Sequence, residues 1–92
     1  MKKKLDISGV DPILFVGLDD KNIKALEKHF KSKIVVRGSS MNLDGDKSEI
    51  NQIESIVQNM LTIINKKGSL SVDDVSDLLL HDNLDENNIS ND

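Results

Sequence analysis

The 92-residue sequence contains no cysteine, no tryptophan and no tyrosine, only two phenylalanines and a single proline. Without cysteine there is no disulfide framework, no thiolate metal site and no thiol chemistry, which fits a reducing compartment. The two histidines, His29 and His81, stand too far apart in sequence to form a metal motif by themselves. No apolar run approaches the ~20 residues that span a bilayer. Lys2, Lys3 and Lys4 resemble the basic start of a signal peptide, but Asp6, Asp11 and Pro12 break up the stretch from Leu5 to Val16. A secretory leader needs that stretch unbroken. The expectation is a cytoplasmic protein without a membrane partner, its residues 1–10 a flexible, solvated N-terminus. A chain of this length makes one small domain.

Charge is abundant and unevenly placed. The net charge is −4, but all 12 basic residues lie within 1–68, where nine acids leave +3. Residues 69–92 hold seven acids and no Lys or Arg, which gives −7. A mildly basic body is joined to an acidic end.

Residues 13–17, Ile-Leu-Phe-Val-Gly, form a short apolar run entered through Asp11-Pro12 and predict a first strand. From Asp20 to Lys31 the period changes: Ile23, Leu26 and Phe30 share one helical face, and Lys21, Lys24, Lys28 and Lys31 share another. Asp19 or Asp20 can cap this helix. Residues 33–37 and 41–44 predict two more strands, paired as a hairpin around Gly38-Ser39-Ser40. Asp46-Lys47-Ser48-Glu49 resembles a capping box. It opens a long amphipathic helix with Ile50, Ile53, Val57, Met60, Leu61 and Ile64 on its buried stripe and Gly68 as its stop. Ser71-Val72-Asp73-Asp74 opens a short helix carrying Val75, Leu78, Leu79 and Leu80. Residues 82–92 are acidic and aperiodic and predict a disordered tail or linker. The order β-α-β-β-α predicts an α+β two-layer sandwich over residues 11–81: a three-stranded sheet with two main helices on one face, plus a short C-terminal helix. The other sheet face, carrying Asn42, Asp44 and Arg37, should be wet or meet another domain.

Phe15 to Val57 resembles a KH module, which places a Gly-x-x-Gly loop before a helix, followed by a strand, a hairpin and a long helix. Gly17-Leu18-Asp19-Asp20 stands at the loop, followed by Ile23, Leu26-Glu27, Ile34-Val35-Val36 and Leu43-Asp44-Gly45. A closer resemblance, over about residues 8–80, is to the N-terminal KH-like domain of PhoH-like proteins, the phosphate starvation-inducible ATPase family. It rests on Phe15-Val16-Gly17, Asp19-Asp20-Lys21-Asn22-Ile23-Lys24, Leu26-Glu27, Ile34-Val35-Val36-Arg37-Gly38, Asp44-Gly45-Asp46 and the run from Gly68 to Val75. In that family the domain precedes an ATPase domain with a phosphate-binding loop. The five glycines here are isolated, and none is followed by Lys, so this stretch is expected neither to bind nor to hydrolyse ATP. ATP and Mg belong, on this resemblance, to the ATPase domain alone, and no catalytic, cofactor or metal residue is expected here.

Three kinds of site follow. The resemblance implies an accessory module that orients its own ATPase domain or neighbouring subunits, with Leu78, Leu79 and Leu80 as the docking residues. Three consecutive leucines cannot all face one small core, so they either close this domain's own core or meet a partner. The alternative is a divergent KH-type module feeding RNA or single-stranded DNA to the ATPase, with Gly17, Lys21, Lys24, Lys28 and Arg37 as contacts. Asp19 and Asp20 stand where phosphate would arrive, and no exposed aromatic offers stacking. Two acidic clusters, Asp44/Asp46/Glu49 and Asp73/Asp74/Asp77, read as turns, caps and a solvated helix face rather than metal or catalytic groups.

Overall fold

The computed structural model describes residues 1–80; the expectation of a disordered tail over 82–92 lies outside them. The sheet is built around a hairpin. Strands Lys33–Arg37 and Ser40–Asp44 pair antiparallel with Arg37 opposite Ser40, so the turn is two residues long. Strand Lys2–Asp6 pairs antiparallel along the other side of Ser40–Asp44, with Leu5 opposite Met41. Numbered in chain order these are β1 (2–6), β2 (33–37) and β3 (40–44), arranged β1-β3-β2.

The first strand therefore lies at 2–6, and residues 1–10 are not a flexible end. Alternation explains this: Leu5 and Ile7 point into the core, 7% and 0% exposed. The Lys3 ammonium, on the same face, reaches Glu54 at 2.7 Å. The chain continues the ladder beyond the strand, with the Ile7 N–H donating to the Ser39 carbonyl at 2.8 Å.

Residues 13–17 are correspondingly not a strand. Helix α1 spans Pro12–Val16, with the Asp11 carboxylate accepting from the Ile13 N–H at 3.0 Å and Pro12 in the first turn. An Asp cap followed by Pro is a helix-start signal, and it prevails over the strand propensity of a run too short to show its period.

A 3₁₀ turn, Leu18–Asp20, leads into α2, Lys21–His29. Helix α3, Lys47–Lys67, ends at Gly68, whose N–H donates to the Ile64 carbonyl at 2.7 Å. Residues 72–80 form the last described helix, α4. The architecture is the expected α+β two-layer sandwich, with helices on one face of a three-stranded antiparallel sheet. Leu5, Ile34, Met41 and Leu43 face Phe15, Leu26, Ile50, Ile53, Val57 and Met60 across one core. Val75 and Leu79 join α4 to it. Among the described residues no helix is long and apolar enough to cross a membrane.

Candidate functional site

The loop between α1 and α2 is the first place to look for phosphate contact. Gly17 has φ 81°, and both Asp19 and Asp20 take left-handed conformations, at φ 56° and 59°. Asp tolerates this region better than most residues. The space beside Gly17 is already filled: a Cβ there would stand 2.9 Å from Asn22 Nδ2. Glycine is needed at 17 so that the buried Asn22 can approach, an internal packing demand. Neither Asp caps α2 as expected. Asp20 directly precedes the helix, but with its left-handed backbone its side chain bonds no helix N–H.

Asn22 is 1% exposed, and sequence reasoning missed it. Its amide donates to the carbonyls of Phe15, at 3.3 Å, and Leu70, at 3.0 Å. The signal was present in the spacing, because Asn22 lies one turn before Leu26 on the buried side of α2.

The candidate nucleic-acid residues divide between two surfaces. Lys21, Lys24 and Lys28 line a groove of about 540 Å³ between α2 and α4, floored by Val72 and Leu79. Lys31 lies beyond the end of α2, so the four-lysine helical stripe has only three members. Arg37 is elsewhere, on the open face of the sheet, in a trough of about 520 Å³. Gly17, Lys21, Lys24, Lys28 and Arg37 do not converge on one point.

The open face carries its own cations. Register places Lys2, Asp44 and Lys33 in one row, Lys4, Asn42 and Val35 in the next, and Asp6, Ser40 and Arg37 in the third. Alternation turns these nine side chains away from the core. Asn42, Asp44 and Arg37 are there as expected; Lys2, Lys4 and Lys33 are additions. Treating the N-terminus as frayed hid the two from β1.

The acidic clusters disperse into structural tasks. Asp44 is on the open face, Asp46 precedes α3 without a side-chain cap, and Glu49 turns away from the expected box. Its carboxylate accepts from the Ser32 N–H at 2.6 Å and the Ser32 hydroxyl at 2.5 Å. The Ser32 hydroxyl bond, aided by the backbone N–H groups of Ser32 and Lys31 and the Lys31 charge, holds the Glu49 carboxyl below its usual pKa against the opposing effect of burial. Gly45 packs on the same serine: a Cβ at 45 would overlap the Ser32 hydroxyl and approach Ser32 Cβ to 2.7 Å.

At α4 a reciprocal cap forms instead. The Asp74 N–H donates to Ser71 Oγ and the Ser71 N–H to the Asp74 carboxylate, both at 3.1 Å. That Ser71 N–H, and then the Lys67 ammonium at 3.0 Å, lower the Asp74 pKa. Among the described residues no group of three His, Cys, Asp or Glu side chains could hold a metal ion.

The three leucines separate as their spacing demands. Leu79 is 8% exposed and in the core, Leu78 is half-buried, and Leu80 is 61% exposed. Leu80 is thus the exposed member of the three.

No family model, no curated protein and no solved structure matches the chain.

Proposed function

We propose that this chain is a KH-like accessory domain of a PhoH-like ATP-binding protein, working through its surfaces to orient the ATPase or its partners. The supporting observation is the contact of Asn22 with Leu70. Asn22 belongs to the Asp-Asp-Lys-Asn-Ile-Lys stretch and Leu70 to the Gly68–Val75 stretch, two of the segments that carry the resemblance. The motif residues engage one another: Gly17 admits Asn22, Asn22 holds the carbonyl of Leu70, Ser71 and Asp74 cap α4, and Val75 enters the core. Residues occupied in this way mark a scaffold. What the scaffold offers outward is the groove between α2 and α4, exposed Leu80 and the open sheet face.

The coding sequence downstream tests this reading. An in-frame Gly-x4-Gly-Lys-(Ser/Thr) following a strand supports the ATPase parent. A stop codon directly after Asp92 overturns it.

A further inference from the structure

We propose that the open face of the sheet is a binding site for the phosphate backbone of single-stranded nucleic acid. The site does not rest on the ATPase reading, and it is distinct from the loop and the α2 lysines. Its geometry follows from the strand order. With β3 in the middle, β1 and β2 form two rails, and the cations stand on them: Lys2 and Lys4 on one side, Lys33 and Arg37 on the other. Asn42 lies on the floor between the rails, and its amide both donates and accepts. None of the four cations forms an ion pair with a carboxylate among the described residues. The trough holds one acid, Asp44, at the end between Lys2 and Lys33. Asp6, at the other end of the face, accepts from the Ser8 N–H at 2.9 Å and also feels the charge of its strand neighbour Lys4.

The face distinguishes between polyanions. Val35 is the single apolar side chain among its nine outward positions, so an acidic protein would find no apolar centre to bury. A nucleic-acid backbone needs none, because its attachment comes from phosphate neutralisation and counterion release. With no aromatic residue on the face, bases cannot stack, and binding is independent of sequence. The overall −4 charge does not oppose this at close range. At physiological salt the Debye length is about 8 Å, so charges farther than that from the face are largely screened.

The test uses the whole chain and fluorescein-labelled oligo-dT and oligo-U of about 15 nucleotides, titrated across a salt series. With up to four phosphates neutralised, log K is expected to fall against log salt with a slope of roughly −2 to −3, at about −0.7 per contact on a single strand. Lys33→Gln with Arg37→Gln should flatten that slope by about 1.4. Lys21→Gln/Lys24→Gln/Lys28→Gln should leave it unchanged. Asp44→Asn, which removes the carboxylate that would repel phosphate between Lys2 and Lys33, should tighten binding, a gain that a misfolded variant does not imitate. The proposal is overturned if neither oligonucleotide binds at low salt, or if the α2 triple variant alone flattens the slope. An acidic peptide that binds where both oligonucleotides fail overturns it in favour of a protein partner.

Discussion

The side-chain amide of Asn22 reaches across 48 positions of sequence to the carbonyl oxygen of Leu70, at 3.0 Å, inside the protein. The segment between α3 and α4 has no strand to satisfy its backbone there, and Asn22 supplies the donor instead. The same amide meets Phe15 at the end of α1. One residue thus ties α1 and the connection between α3 and α4 to α2, and Gly17 leaves the room for it.

Removing that amide should be expensive. Asn22→Ala leaves two buried carbonyls without this donor and a void, an expected loss of about 2–4 kcal/mol. Asn22→Asp keeps the shape but donates nothing when ionised, so at neutral pH it should destabilise at least as much. Urea unfolding curves followed by far-UV circular dichroism measure both.

The N-terminal strand should prove indispensable. Leu5→Ala is expected to lose about 2–4 kcal/mol through lost burial and the cavity left behind. Lys3→Ala, which breaks a half-exposed ion pair with Glu54, should lose no more than about 1 kcal/mol. Deleting residues 1–7 should give a chain without cooperative unfolding, read from the same curves.

Stability should fall in acid. Glu49 and Asp74 both have folded-state pKa values below their ordinary ones, Glu49 chiefly through the Ser32 hydroxyl and Asp74 chiefly through the Ser71 N–H. Groups depressed in this way contribute fully above their unfolded pKa values, about 4.3 for Glu and 3.9 for Asp, and lose the contribution as pH drops through the folded values. The urea midpoint should therefore change little on their account between pH 7 and about pH 5, then fall below about pH 4. Glu49→Gln should lower the midpoint at pH 7 and reduce the acid-dependent part of the fall.

Adjacent leucines in α4 should behave differently. Leu79→Ala, in the core, is expected to lose about 2–3 kcal/mol, whereas Leu80→Lys, on the surface, should change stability by less than about 0.5 kcal/mol. Thermal unfolding of the two variants side by side makes the comparison. If Leu80 meets a partner, L80K should disrupt that association while leaving the fold intact.

The elements with strong periodicity were legible in the sequence. The hairpin and α3 announced themselves through alternation, a 3.6-residue stripe and a terminal glycine, and the buried side of α3 is nearly the expected one, with Ile56 added and Leu61 only half-buried. Two short segments were not legible for opposite reasons. Residues 12–16 are apolar throughout, so they carry no period, and only the Asp11-Pro12 pair reveals the helix. Residues 2–6 are mostly lysine, and their alternation shows only when Leu5 is read together with Ile7 beyond the strand. The open face followed from this second miss: with β1 absent from the expected sheet, Arg37 appeared alone. Glu49 had the spacing of a capping residue, but nothing local signals a partner that lies 17 positions earlier at Ser32.

Because β3 lies between β1 and β2, β1 has no partner in the sheet until β3, the third of the three strands in chain order, has been made. The hairpin closes through a two-residue turn on a scale of about 1–10 μs, while β1 must wait for chain as far as Asp44 to emerge. During that delay Leu5 and Ile7 are exposed apolar residues in a strand-forming segment, a setting that invites pairing with the wrong chain. Lys2, Lys3 and Lys4 stand immediately before them. Like charges at that position repel a second copy of the same segment, which disfavours edge-to-edge pairing before β1 has docked.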